Sequence, residues 1–540
     1  MTDCTERHPA AVADGLAGEG QKGMPGPLST DLLEKTGAET KKVARGGLAN
    51  MAGSALAGGT GVAVTWIVAR SLGAEQAGAF FAATAAFVLG GGLAKLGTQT
   101  GLVYWPARLR ATGRDHLLGA CLRTGLTPVV AVSVLLGAGM WAAAPAIARL
   151  TAHEATHVVG AHTAGLRVLA VFLPLQAITD ALLTATRGYR AMRPTVLLDR
   201  VLRSSLQLLL VGLAGGVVLL SHRAGALIPV GAELPWVAFA WAAPYLPVTV
   251  LAAYALKKVY RAGKLPAVTT RRVERRELRR DFWKFTGPRA LASVAQLALQ
   301  RVDVLLVAAL GGLAAAAVYA VAGRFVVLIQ FANQGISQSV QPRLAEALAI
   351  GDRRAANHLY QTATGWLVLV TWPICLLVMH LAPLYLGIFG DGYTAGTAVV
   401  RVLACAMLVA TGCGMVDMVL AMAGRTSWNL ANVLVALTVT IGLDLLLIPR
   451  FGALGAAAGL ACAMVANNLL PLIQVGRAVG LHPFGRGTRA AALLSLICFG
   501  LLPLLHTAGL ALSIPAFLAG TWLLRKKLAL DAFKPMRRTR

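Results

Sequence analysis

The 540-residue chain is 57% hydrophobic and only 14% charged, against about 25% charged in a soluble globular protein. An ionised side chain at a bilayer centre costs roughly 2.5–3.5 kcal/mol, so charges this sparse, gathered between apolar runs, exclude an ordinary soluble domain. The 50 Lys and Arg against 23 Asp and Glu give a net charge of +27, but no compact basic domain with interleaved aromatics is present, which argues against nucleic acid as a partner.

Residues 1–45 are rich in Gly, Pro, Thr and charge and hold no long apolar core. They read as a disordered cytoplasmic tail, not as a secretory signal. Apolar stretches near the roughly 20 residues of a membrane span follow at 46–69, 77–104, 117–143, 163–186, 194–220 and 235–257. After a basic linker come 284–310, 313–340, 359–382, 395–423, 427–448, 453–476, 488–507 and 509–524. Gly and Ala are frequent in these spans, which permits close helix approach in lipid. Pro128, Pro174, Pro244, Pro247 and Pro373 predict kinks.

Basic residues alternate loop by loop. One side carries Arg108, Arg110 and Arg114, then Arg187, Arg190 and Arg193, the linker at 258–283, Arg343, Arg353 and Arg354, Arg425, Arg477, Arg486 and Arg489, and the tail 525–540. The other side carries little more than Arg70, Arg149, Arg223 and Arg450. The excess of Lys and Arg on cytoplasmic loops then predicts both termini in the cytoplasm. The linker contains RRVERRELRRDFWKF, whose charges fall at helical spacings. It reads as a solvated helix near anionic headgroups, or as a helix joining two moving halves and attracting an anionic substrate.

A shift of 238 residues superposes Leu72-Gly73 on Leu310-Gly311, Phe81 on Tyr319, Phe87 on Phe325, Gly97 on Gly335 and Arg187 on Arg425. Asp180 misses Asp417 by one position. Six spans per unit return the chain to the same side, so the two units are parallel repeats about an axis along the membrane normal. The expected architecture is therefore an all-α membrane protein of about fourteen transmembrane helices. Spans 1–6 (46–257) form one lobe and spans 7–12 (284–476) the other, with two extra C-terminal helices at 488–524. Two such lobes enclose a cavity, and rocking them gives the alternating access of a secondary transporter.

The seven cysteines, Cys4, Cys121, Cys375, Cys405, Cys413, Cys462 and Cys498, form no CxxC pair and read as small buried hydrophobes. No GxxxxGK[ST] loop occurs, so ATP hydrolysis and covalent chemistry are not expected of this chain. His153-Glu154-Ala155-Thr156-His157 has the HExxH pattern of zinc proteases. It falls in a short external loop with no counterpart in the second repeat, and no third ligand is evident, so it is read as incidental and no metal is expected.

The stretches VARSLGAEQAGAFFAATAAF (68–87) and QRVDVLLVAALGGLAAAAVYAVAGRF (300–325) resemble the matching loops in the two halves of polysaccharide flippases, within the multidrug/oligosaccharidyl-lipid/polysaccharide exporter superfamily. PRLAEALAIGD (342–352), APLYLGIFGDGYTAG (382–396) and LLLIPRFGALGAAAG (445–459) are similar to further segments of that family. The resemblance covers roughly 46–525. It implies a flippase in a bacterial cytoplasmic membrane that moves a polyprenyl-diphosphate-linked glycan between leaflets, with glycosyltransferase or polymerase partners. A lipid II flippase and a cation-coupled multidrug exporter are the alternatives within the superfamily. No cofactor is implied, coupling to H+, Na+ or membrane potential is open, and a monomer suffices.

An anionic diphosphate cargo needs cations in the spans, and arginine donates to phosphate through a planar fork. Arg324, about 11 residues into span 8, is placed near the midplane at about 1.5 Å per residue. Arg301, Arg289 and Lys95 are the further candidates for substrate binding; Arg289 and Lys95 fit an interfacial position equally well. Asp303, two residues from Arg301, is a candidate for ion coupling or for a structural pair with span 8. Asp180 and Asp417, at near-equivalent places in spans 4 and 10, are candidates for taking a proton or sodium ion, and Asp444 is similar. Asp199 and Arg203, four apart, form a local pair.

Overall fold

The computed structural model describes residues 30–152, 155–189, 191–224, 228–229, 231–262 and 272–528. These residues are helical throughout, with no strand among them. Residues up to Ala49 form a unit of their own, helical from Thr30, inside the segment expected to be a disordered tail. The second unit, Asn50–Arg540, holds the apolar spans.

The first half holds α1 (Thr30–Ala94), α2 (Thr98–Ala111), α3 (Leu118–Thr151), α4 (Val159–Gly188), α5 (Ser204–Ala224), α6 (Glu233–Ala242) and α7 (Tyr245–Ala262). The second half holds α8 (Arg272–Leu310), α9 (Gly312–Ala322), α10 (Arg324–Ala349), α11 (Arg353–His380), α12 (Ala382–Gly387), α13 (Thr397–Gly412), α14 (Val416–Met422) and α15 (Thr426–Ala478). The chain closes with α16 (Arg486–Ser495) and α17 (His506–Leu523). Among the described residues, 11 helical stretches are long and apolar enough to cross a membrane, and a shorter apolar helix, Ala508–Leu523, follows them.

Two of these stretches are hairpins. Thr426–Ala478 breaks at Gly452, whose φ of 52° and ψ of −129° lie outside the helix. Asn432 and Gln474 exchange amide hydrogen bonds of 2.8 and 2.9 Å across the reversal. A side chain at Gly455 would meet the Leu447 carbonyl at 2.4 Å, so the turn closes only around glycine. Helix α1 breaks likewise at Gly73, with φ 75° and ψ 175°. Before the break, Gly53 faces Arg200 and Ile67 faces Gly215; after it, Gly90 faces Leu173 and Lys95 reaches Asp180. The segments on either side of Gly73 thus follow two successive, oppositely directed spans. In the second half the corresponding positive φ, 84°, falls on Gly312, one residue past the position the 238-residue offset assigns.

Hydroxyls inside the apolar helices satisfy themselves locally. Thr60, Thr65, Thr371, Thr411 and Thr440 each donate to the carbonyl four residues back, which removes the cost of an unpaired polar group in lipid.

The two halves meet along the second span of the first half. A Cβ at Gly78 would stand 1.8 Å from the Leu313 carbonyl oxygen, at Gly92 1.8 Å from Leu297, at Gly97 2.6 Å from the Ala290 backbone and at Gly101 2.4 Å from Thr286. The absent side chains let backbone lie on backbone. At the far end of span 1, Trp66 and Arg70 each donate to the Ile388 carbonyl at 3.0 Å. The expected 258–283 linker is helical from Arg272 and runs without interruption into span 7 as α8; residues 263–271 lie outside the described set.

Candidate functional site

Span 8 was expected to be one helix with Arg324 in its middle. Instead the helix stops at Ala322, and Arg324 opens a new one, α10, after Gly323. The interruption turns Arg324 into a cavity of about 430 Å³. The cavity is lined wholly by second-half residues, between Gln296 and Asn468. It therefore lies inside one lobe, not in the space between two lobes that the repeat led us to expect.

Two of the expected cations, Arg301 and Arg324, line this cavity. Neither forms a salt bridge among the described residues, and the Nε of each is buried without a hydrogen-bond partner. Arg324 also lies 5.8 Å from the ring centre of Phe81, its contact with the first half. Asp303 and Asp417 line the same cavity. Asp417 sits in the first turn of α14, where the positive end of the helix dipole favours a carboxylate.

Asp303 is buried and held by two donors: the Val304 N–H at 2.8 Å and the Tyr319 hydroxyl. Spans 7 and 8 are thus locked by an acid–phenol hydrogen bond, where an Asp–Arg pair was the expected structural alternative. Asp444, on the first arm of the α15 hairpin, is fully buried and both of its carboxylate oxygens lack a partner. Its Oδ1 lies 2.3 Å from where a side chain at Gly459 would begin, so glycine on the opposite arm makes room for the carboxylate. Asp444 is within electrostatic reach of both Asp303 and Tyr319.

The remaining expected residues lie elsewhere. Lys95 forms a 2.8 Å salt bridge with Asp180, with side chains only 16% and 28% exposed. That pairing takes both out of the open substrate and ion roles, and it separates Asp180 from Asp417 despite their near-equivalent positions. Lys95 stands where span 2 loosens between α1 and α2, at left-handed Leu96 and Gly97. Arg289 is exposed, donates to the Phe285 carbonyl at 2.9 Å and stacks 3.9 Å from the Phe285 ring, outside the cavity. Asp199 and Arg203 pair at 2.7 Å.

His153 and Glu154 lie outside the described residues. His157 is 3.0 Å from Glu75, and the described residues contain no cluster of three metal-ligating side chains.

Sequence reading passed over the amides. Gln296, Gln300, Gln330, Asn333, Asn467 and Asn468 all line the cavity. The signal was there: Gln296 and Gln300 are four apart, Gln330 and Asn333 three apart, each pair on one helix face. Together with two arginines they offer donors for phosphate and sugar oxygens.

Residues 288–446 match the MatE family model. No curated protein matches the chain. A lipid II flippase, MurJ, in an inward closed conformation is similar in structure, with a TM-score of 0.66 at 13% identity, over 88% of this chain and 98% of that one. An inward-facing multidrug resistance MATE family transporter gives a TM-score of 0.60 at 15% identity, over 78% and 94%. The chain is therefore a multi-pass membrane protein with a MatE segment in its second half and the fold of the multidrug/oligosaccharidyl-lipid/polysaccharide exporter superfamily.

Proposed function

We propose that the chain is an alternating-access flippase in a cytoplasmic membrane, with both termini inside. Its cargo is an anionic lipid-linked precursor, a polyprenyl-diphosphate-linked glycan or a close relative such as lipid II. The observation that carries this reading is the pair Arg301 and Arg324: two guanidinium groups facing one cavity with no carboxylate salt-bridged to either among the described residues. An unpaired cation away from bulk water is costly, and a diphosphate that it can grip and release gives it a use. The amides around it suit a sugar. Glycosyltransferases or polymerases that make and consume such a precursor are the expected partners.

Coupling to a sodium ion or proton fits Asp303, Tyr319 and Asp444, whose unneutralised carboxylates are buried beside the same cavity. The resident cation and the cargo anion would then act on adjacent charges. Asp303 and Asp417 in that cavity favour a second reading, a cation-coupled exporter of cationic compounds.

The test is reconstitution into vesicles with a fluorescent lipid-linked diphosphate sugar whose headgroup exposure is followed by quenching. Transfer between leaflets is expected, slowed strongly in Arg324→Ala and Arg301→Ala. Transfer at the wild-type rate by both variants removes the arginines from the mechanism. Absence of transfer together with uptake of an organic cation selects the exporter.

A further inference from the structure

A second cavity of about 380 Å³ lies apart from the first, where three separate stretches of chain meet. They are the start of α11, the turn leading into α16 and the residues after α17. Its lining includes Arg486, Lys526, Lys527 and His358 beside the polar Gln361 and Thr362. No acidic residue lines it, and none forms a salt bridge with these cations among the described residues.

The pocket is built, not left over. Trp366 donates to the Leu528 carbonyl at 2.9 Å and ties the C-terminal stretch to α11. Thr488 donates to the Gln361 and Pro483 carbonyls, and Asn357 accepts from the His482 N–H. Leu528, Val368 and Ala491 pack beneath in an apolar cluster of their own. Gly485 and Gly487 flank Arg486; a side chain at either would meet Gln361 at 2.6 Å or the Lys527 carbonyl at 2.9 Å. These contacts hold three like charges around one space, which is unfavourable unless an anion fills it.

The position selects the anion's kind. All three stretches reach the pocket at the ends of apolar helices, where headgroups lie. Next to it α17 turns Leu518, Trp522 and Leu523 outward, 63–72% exposed. Such a surface belongs against acyl chains, with Trp522 and Arg525 at the headgroup boundary.

We propose that this pocket binds the phosphate headgroup of an anionic phospholipid, clamping the C-terminal helix pair to α11. The site is independent of the cargo proposed for the first cavity, and its test does not involve transport.

Full-length protein in neutral detergent is titrated with short-chain phosphatidylglycerol, short-chain phosphatidylcholine or inorganic phosphate. Bound lipid is read by native mass spectrometry and stabilisation by the unfolding temperature. Saturable binding of phosphatidylglycerol is expected, with a loss of more than about tenfold in Arg486→Gln/Lys526→Gln/Lys527→Gln. The exposed single variants Arg486→Gln and Lys527→Gln should each lose about fivefold, and they carry the test if the triple variant does not fold. Inorganic phosphate binding as tightly as the lipid, and lost in the same variants, overturns the lipid as occupant in favour of a soluble anion. Undiminished lipid binding in the variants overturns the site. So does an equal loss in Arg110→Gln/Arg114→Gln/Arg193→Gln, which removes the same charge from loops of the first half.

Discussion

Arg324, which lines a cavity formed only by the second half, touches the first half through the ring of Phe81, 5.8 Å from its guanidinium. The 238-residue offset pairs Phe81 with Tyr319, five residues before Arg324 and itself bound to Asp303. The contact between halves, the cargo-facing cation and the buried acid therefore share one short stretch of span 8. A change in cavity charge has a direct path to the interface between the halves.

Arg324→Ala is expected to lower transfer of a lipid-linked diphosphate by at least about tenfold, the effect of losing a charge-assisted hydrogen bond. Arg324→Lys should recover only part of it, since an ammonium lacks the planar fork. Phe81→Ala should weaken the arginine's position by about 0.5–1 kcal/mol. Rates of the two single variants and the double variant in one reconstituted assay measure the coupling; additive effects would show that Phe81 does not act through Arg324.

Lys95 and Asp180 form a partly buried pair, so removing one partner strands the other. Asp180→Ala or Lys95→Ala should each destabilise the protein, by less than the roughly 3–5 kcal/mol of a fully buried pair because both side chains keep some exposure. Lys95→Ala/Asp180→Ala should be milder than the sum. Unfolding temperatures of the three variants decide it, and a strictly additive double variant would argue against the pair.

Tyr319→Phe removes one of the two donors to the buried Asp303 carboxylate. A loss of about 1–3 kcal/mol is expected from the under-satisfied acid, seen as a lower unfolding temperature. If these acids hold the coupling ion, the variant should also change the sodium or pH dependence of transport. The Asp444 carboxylate accepts no hydrogen bond among the described residues, so Asp444→Asn should change that dependence with less effect on stability.

Gly78→Val places side-chain atoms where the Leu313 carbonyl stands and should force the two halves apart. Transport is expected to fall by at least about tenfold, with a cost of about 1–3 kcal/mol or more in stability from overpacking. Gly59→Val, with open space around it, is the control and should leave both nearly unchanged. Equal behaviour of the two variants would show that the close approach at Gly78 is dispensable.

Composition and loop charge alone established an all-helical membrane protein with long apolar spans, because lipid forces the backbone into helices and drives charge into loops. The motifs at 68–87 and 300–325 pointed to the superfamily, and Asp303, Arg301 and Arg324 stood out because ionisable residues in apolar runs are rare. The partners of those residues could not be read from the chain. Lys95 and Asp180 are 85 residues apart, and only packing of span 2 on span 4 joins them. Asp444 reaches the Asp303 region because the chain reverses at Gly452 and Gly459 leaves space for its carboxylate. The break at Gly323, which aims Arg324 into the cavity, has no strong sequence signal, since glycine is common inside membrane helices. Periodicity and charge are local and survive in one dimension; the pairing of buried charges depends on which helix faces touch, and that is decided only in three dimensions.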